Sequence, residues 1–338
     1  MRIENHELTE LRDLAETTAT VAAAADVGLY RALAEIGEPA TAEEVAGRAG
    51  LDSRAVGVLL PVLAEIGVLE RADDAGPEDR FTLTGPARRA LADPDSGEYE
   101  AGGLPLWIHN LRAFTRLPEV LRSGEPLERE EESVEEARDS LRRFMAGMAA
   151  APPERVERIV AACLDRAAAR PSPVRAALDL GGGPGHMARA FAARGLETTL
   201  FDRPETIDYV ADAYGLEDVD GLELAGGDFV EDPLPEGPFD VVLISNVVHI
   251  YSPERNRALL RKVAGVTSPG GVIGIADFFR GRSRRAVHFA LVMLLRTEGG
   301  DTYPEDEVGA WLEDAGFVEP ETVRVDEDRH LITAVRKS

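Results

Sequence analysis

Apolar and polar positions along the chain change rhythm once, near residue 171. Before that point apolar residues recur at helical spacing. "LTELRDLAETTATVAAAADVGLYRALAE" predicts helix broken near Gly28, and "PATAEEVAGRAGLDSRAVGVLLPVLAEIGVLER" predicts two helices joined by a turn. Thr41 caps the first of these, with Glu44 three residues later as a capping box; Gly50 stops it and Asp52 caps the second. Two short strands around the polar "ADDAGPED" follow, so this stretch reads as a winged helix. From Tyr99 to about Ala169 the pattern is again helical, with apolar faces in "GLPLWIHNLRAFTRLPEVL" and "LRRFMAGMAA". The acidic "EPLEREEESVEEARDS" between them reads as a solvated face or loop, and "ARPSPVR" as a hinge.

Beyond the hinge, strand-like and helix-like runs alternate. "AALDLGGG", "ETTLFD", "LELAGGDF", "FDVVLISN" and "GGVIGIADFF" predict strands. "GHMARAFAARG", "PETIDYVADAYG" and "ERNRALLRKVAGVT" predict the helices between them, and a late helix in "PEDEVGAWLEDAGF" precedes the hairpin "ETVRVD" and "HLITAVRK". Such alternation implies an α/β, doubly wound, largely parallel sheet. Three segments result: a winged-helix domain over 1–98, a helical linker over 99–170 and an α/β domain over 171–338.

Charge narrows the partners. Over 338 residues the formal net charge is −25, which repels nucleic acid and anionic membranes. The helix that would read DNA, "SRAVGVLLPVLAEIG", carries Arg54 as its only cation, so its apolar face suits packing against a second copy better. Cys163 is the single cysteine, which excludes an intrachain disulfide and leaves no Cys-based metal site. With no apolar run of signal-peptide or membrane-span character, the expectation is a soluble cytoplasmic protein without nucleic-acid or membrane partners.

Candidate chemistry gathers where strands end, the edge at which open α/β sheets bind ligands. Gly181, Gly183 and Gly185 lie between a strand and a helix, where backbone approaches a ligand closely and the helix start favours negative charge. A dinucleotide fingerprint needs glycine or alanine where His186 stands, which disfavours NAD and FAD. Asp202, ending the next strand, is placed to accept ribose hydroxyls; Asp228 and Phe229 follow the third strand, placed for an adenine amino group and ring, or equally as a helix cap and a core aromatic. His249 sits where "FDVVLISN" gives way to a helix capped by Ser252 with Pro253 behind it.

The order "DLGGGPG", "FDRPETI", "GDF", "SNVVHIYSPERNRALL", "PGGVIGIADFF", "WLEDAGF" resembles the S-adenosylmethionine-dependent O-methyltransferases of the caffeate and hydroxyindole type, including bacterial natural-product enzymes. The resemblance spans nearly the whole chain, since that family also carries an N-terminal winged-helix dimerisation domain. It implies a Rossmann-like methyltransferase sheet, a homodimer, S-adenosylmethionine as cofactor and a small aromatic hydroxyl acceptor, with no metal. Carried over by position, it implies cofactor contacts at Gly181, Gly183, Asp202, Asp228, Phe229 and Ser245. His249 matches the general base and Asp277 the acid that orients it. Trp107, His109, Phe144, Met148, Phe289 and Met293 are candidates for the acceptor pocket.

Phenols titrate near ~10 and imidazoles near ~6.5, so a histidine base assists attack on a methyl at neutral pH. Two departures from the family pattern bear on the acceptor. Ile250–Tyr251 replaces Asp-Trp after the base, and Thr302, beside Asp301, stands where a second glutamate is usual. These leave open C- or N-methylation, or cofactor-dependent chemistry without methyl transfer, with a winged-helix regulator as the remote alternative.

Overall fold

The computed structural model describes residues 8–72, 78–94, 96–128 and 133–337. It divides between Arg112 and Ala113 into two compact units, so the helical stretch from 99 to 170 is shared between them.

The first unit holds α1 (Leu8–Asp26), α2 (Leu29–Ile36), α3 (Ala42–Ala49), α4 (Ser53–Glu65), the antiparallel ribbon β1 (Leu69–Arg71) and β2 (Phe81–Leu83), α5 (Gly85–Leu91), and the start of α6 (Leu104–Phe114). The break between α1 and α2 falls at Gly28, which adopts φ 73°. The expected capping box is present: Thr41 N–H donates to Glu44 Oε2 at 2.8 Å, and Glu44 N–H donates to Thr41 Oγ1 at 3.3 Å. Asp52 accepts from Ala55 N–H to start α4. Leu29, Leu33, Val45, Leu60, Leu63 and Phe81 close the core of this winged helix. Of the polar loop between β1 and β2, residues 73–77 lie outside the described residues, as do 129–132 of the acidic segment.

The second unit begins with α7 (Leu117–Ser123), α8 (Val134–Ala149) and α9 (Pro153–Ala167). The acidic segment enters α8 at Ser133, whose hydroxyl accepts from Glu136 N–H. The α/β pattern then runs β3 (Ala176–Leu180), α10 (His186–Ala192), β4 (Glu197–Asp202), α11 (Pro204–Ala213), β5 (Leu222–Gly226), β6 (Phe239–Ser245), α12 (Pro253–Val266), β7 (Thr267–Asp277), α13 (Arg284–Arg296), α14 (Glu305–Asp314), β8 (Phe317–Arg324) and β9 (His330–Arg336). The sheet order is β5-β4-β3-β6-β7-β9-β8; the strands from β5 to β7 pair in parallel, and β9 inserts antiparallel between β7 and β8.

Both faces of the sheet are covered, which is why its central strands read as continuous apolar runs. Val242, Ile244, Ile273 and Ile275 pack on one side with Leu260 of α12 and Trp311 of α14. Val241, Leu243 and Val272 point the other way, against Ile159, Cys163 and Phe191 of α9 and α10. Register aligns the carboxyl ends: Leu180 pairs with Phe201 and Ile244, and Ser245 with Ala276. Asp277 faces His330 across the antiparallel seam. The residues just past these ends therefore crowd one edge. Among the described residues no helix is long and apolar enough to cross a membrane.

Candidate active site

The glycine loop follows β3. Gly181 adopts φ 72°, and a Cβ there would lie 2.7 Å from Val247 Cγ2; only glycine fits both the angle and the space. Beneath the loop Asp179 is fully buried. Its Oδ2 accepts from Ala188 N–H at 2.9 Å, while Oδ1 has no partner among the described residues. Burial pushes this carboxyl up to about 7. Gly183 N–H donates to Asp202 Oδ2 at 2.9 Å, and Arg203 N–H donates to Oδ1 at 2.8 Å. Burial raises the Asp202 carboxyl above its usual range, and these two donors oppose the rise.

The loop after β5 is held by its own side chains. Asp228 Oδ1 accepts from the N–H groups of Val230 at 2.8 Å and Glu231 at 3.3 Å, so one oxygen holds a turn while the other keeps its capacity. Phe229 is buried beside Gly181. Tyr251, at the site of the expected tryptophan, meets Phe229 edge to face at 6.0 Å. Lys262 ties the loop down from α12, its Nζ donating to the carbonyls of Phe229, Val230 and Asp232. Neither Tyr251 nor Lys262 was singled out as a site residue by sequence reasoning. The substitution after His249 was the available signal for Tyr251; Lys262 gave no sign beyond the rarity of lysine.

His249 lies in a single 3-10 turn, Val248–Ile250, between β6 and α12. It is 6% exposed and Asp277 is 2% exposed. Three N–H donors converge on this one carboxyl. His249 Nδ1 approaches Asp277 Oδ1 at 2.6 Å, Phe278 N–H donates to the same oxygen at 2.7 Å, and His249 N–H donates to Oδ2 at 3.3 Å. A carboxylate only accepts, so Nδ1 carries the proton and Nε2 is left as the basic nitrogen. Phe289 of α13 packs edge to face on His249 at 4.8 Å and against Phe278 at 4.7 Å. Val248, His249, Asp277, Phe278, Phe279 and Tyr303 line a small crevice. The Tyr303 hydroxyl donates to the Tyr251 carbonyl at 2.6 Å.

The remaining candidates fall in different places. Ser245, ending β6, accepts from Asn246 Nδ2 at 3.2 Å. On α8, Phe144 is 42% exposed and Met148 half-buried; Met145 is the buried member, with its sulfur 3.7 Å from where a Gly183 Cβ would stand. His186 Nε2 contacts the Ala149 carbonyl at 3.1 Å, joining the end of α8 to the start of α10. Met293 is buried one turn beyond Phe289. Trp107 lies in the first unit, where it lines a groove of about 460 Å³ with Thr17, Thr18, Val21, Gly103 and Leu104; His109 is exposed there. The position of the usual second acid is accounted for otherwise: the buried Thr302 hydroxyl donates to the Ala286 carbonyl at 3.1 Å, and Asp301 pairs with Arg280.

Residues 132–318 match the O-methyltransferase domain family, and residues 11–93 match the O-methyltransferase dimerisation domain. The chain is 30% identical over 313 residues to the tetracenomycin polyketide synthesis 8-O-methyltransferase of Streptomyces glaucescens, covering 89% of this chain and 88% of that one. It is 28% identical over 328 residues to 3-hydroxy-5-methyl-1-naphthoate 3-O-methyltransferase of Streptomyces sahachiroi, covering 94% and 90%. Human N-acetylserotonin methyltransferase, solved with S-adenosylmethionine, superposes with a TM-score of 0.82 over 100% of both chains; at 20% identity that likeness is one of fold.

Proposed function

This chain belongs to the O-methyltransferase family, and from that premise we propose that it moves the methyl group of S-adenosylmethionine to the hydroxyl of a small aromatic acceptor, with His249 as general base. The observation that carries the reading is the buried 2.6 Å contact between His249 Nδ1 and Asp277 Oδ1 at the carboxyl edge of the sheet.

The cofactor fits the residues present. Gly181 and Gly183 keep backbone open at the loop, and the Asp202 carboxylate stands beside it with lone pairs to spare. The unpartnered Oδ1 of Asp179 lies beneath the same loop. Asp228, Phe229 and Ser245 would take the remaining contacts at the neighbouring strand ends. Bound S-adenosylmethionine supplies an electrophilic methyl on a sulfonium and departs as a neutral thioether.

The chain's own task is to orient the acceptor and receive its proton. Positioning accounts for up to about 7–11 kcal/mol in favourable systems, against roughly 10²–10⁴-fold from base catalysis. Phe289 and Phe278 offer aromatic walls next to the base. His249 takes the acceptor's proton at Nε2 as the new O–C bond forms. Asp277 holds the ring and offsets the imidazolium charge, after which the proton passes to solvent.

A homodimer completes the reading, supported by the dimerisation-domain match and by Val58 and Val62, exposed one turn apart on α4. The test is methyl transfer from S-adenosylmethionine to a panel of hydroxyarenes, followed as a one-methylene mass gain. His249→Ala is expected to lower turnover roughly 10²–10⁴-fold while S-adenosylmethionine still binds. Unchanged turnover in that variant removes His249 as the base.

A further inference from the structure

The turn between β8 and β9 carries a cation that the reaction described so far does not use. Arg329 immediately precedes His330, the residue paired with Asp277, so it stands at the same strand edge as the base. Its guanidinium lies over the Phe278 ring, 4.2 Å from the centroid. Phe278 in turn packs on Phe289, and Phe289 on His249. Nε donates to Asn246 Oδ1 at 3.4 Å, and Asn246 directly follows β6 at φ 57°. Arg329 is thus anchored along one edge and one flat face.

Its two terminal nitrogens have no hydrogen bond or ion pair among the described residues. The nearby acids have other partners. Asp326 pairs with Arg155 at 2.6 Å and accepts from the N–H groups of Asp328 and Arg329. Asp277 is bonded to His249. Asp328 contributes attraction but forms no ion pair with Arg329. Burial, with Arg155 close by, lowers the guanidinium to about 10, which leaves it charged at neutral pH.

The turn beneath it is fixed. Arg158 of α9 donates to the Val325 carbonyl, and Arg155 clamps Asp326 from the same helix. The Arg329 carbonyl accepts from the N–H groups of Val325 and Asp326. A charge that is half-buried, held in place and unpaired at a ligand edge is the arrangement that recognises a planar anion by two parallel hydrogen bonds.

We infer that Arg329 binds a carboxylate on the acceptor, so that the preferred substrate is a hydroxyaryl carboxylic acid whose acid group docks on Arg329 while its hydroxyl meets His249. This rests on the hydroxyl-methylation reading above and narrows its acceptor. The methionyl carboxylate of S-adenosylmethionine is the other source of the same chemistry. The sheet order argues against it, because the glycine loop lies at β3 and Arg329 beyond β7.

The test compares a 3-hydroxy-1-naphthoate with 2-naphthol, which lacks the acid, using the full chain, Arg329→Met and Arg329→Lys. Wild type is expected to favour the naphthoate. Arg329→Met should lower kcat/KM for the naphthoate roughly 10- to 100-fold, chiefly through KM, the scale of a lost hydrogen-bonded charge. The fall for the naphthol should be about tenfold smaller or less, and Arg329→Lys should restore part of the preference. Equal losses on both acceptors, or a rise confined to the KM for S-adenosylmethionine, overturn the proposal. Calorimetry with both naphthalenes in the presence of S-adenosylhomocysteine separates the two readings. Carboxylate binding that depends on Arg329, without methylation of any hydroxyl, sinks the hydroxyl-methylation reading alone. Methylation with no preference for the acid sinks the Arg329 site alone.

Discussion

Replacing Asp277 by Asn keeps the shape of the side chain and removes one acceptor. Three donors point at the native carboxyl: His249 Nδ1 at 2.6 Å, Phe278 N–H at 2.7 Å and His249 N–H at 3.3 Å. With the amide oxygen at the Oδ1 position, the two shorter bonds survive, but the NH₂ group faces His249 N–H and leaves a buried donor unmatched. With the amide reversed, NH₂ faces Phe278 N–H and forces Nδ1 to accept, which puts the ring proton on Nε2 and disables the base. An unmatched buried donor costs about 1–3 kcal/mol, so either orientation should lower stability by that order. The reversed orientation forfeits most of the roughly 10²–10⁴-fold that a general base supplies. The assay is single-turnover methyl transfer to a hydroxynaphthalene, for Asp277→Asn, His249→Ala and the double variant. The double variant should be no slower than His249→Ala, because the pair acts as a unit. A rate for Asp277→Asn within about threefold of wild type, together with unchanged stability, would refute the reasoning, since either orientation leaves a buried donor unmatched. So would a double variant slower by the product of the two single losses.

Two further outcomes are expected. Gly181→Ala adds a Cβ 2.7 Å from Val247 Cγ2 on a residue at φ 72°; left-handed strain of about 1–2 kcal/mol plus the clash should weaken S-adenosylmethionine binding roughly tenfold or more. Titration calorimetry that finds native affinity would show that the loop tolerates a side chain. Asp179 is raised from 3.8 to about 7 by burial, so the folded chain holds its proton more tightly than the unfolded one. The stability this contributes is complete below pH ~4 and is lost as pH rises to about 7. Asp179→Asn should therefore gain stability relative to wild type as pH rises, the difference growing by about 2–3 kcal/mol between pH 5 and pH 8. A difference that is flat with pH in urea titrations would mean that Asp179 does not titrate in this window.

Local signals in the sequence carried much of this geometry because they act at short range. The Thr41–Glu44 box, the Asp52 cap and the glycine loop each depend on residues a few positions apart, and His249 is placed by the strand before it and the Ser252–Pro253 helix start after it. The family resemblance added the pairing of His249 with Asp277, which spacing alone does not give. Helix phase was harder to read. "FMAGM" is apolar at several successive positions, so its pattern does not choose which residue faces the glycine loop, and the buried one is Met145 rather than Phe144 or Met148. Long-range pairings were silent as well. The link of Asp301 to Arg280, the grip of Lys262 on the loop after β5 and the stacking of Arg329 on Phe278 all join distant segments. Asp228 shows a further limit, since a carboxylate expected to serve a ligand also holds a turn, and the sequence does not tell the two apart.

The contact between Gly181 and Val247 has a consequence for anyone recombining this enzyme with its relatives. One methyl group separates the loop after β3 from the turn that carries His249, although these belong to distant stretches of sequence. A chimaera that imports one without the other inherits half of a matched surface. A bulkier residue at 247 would press on the imported loop, and a smaller one would leave a gap behind it. Crossovers placed so that positions 181 and 247 come from the same parent should outnumber the alternatives among active progeny.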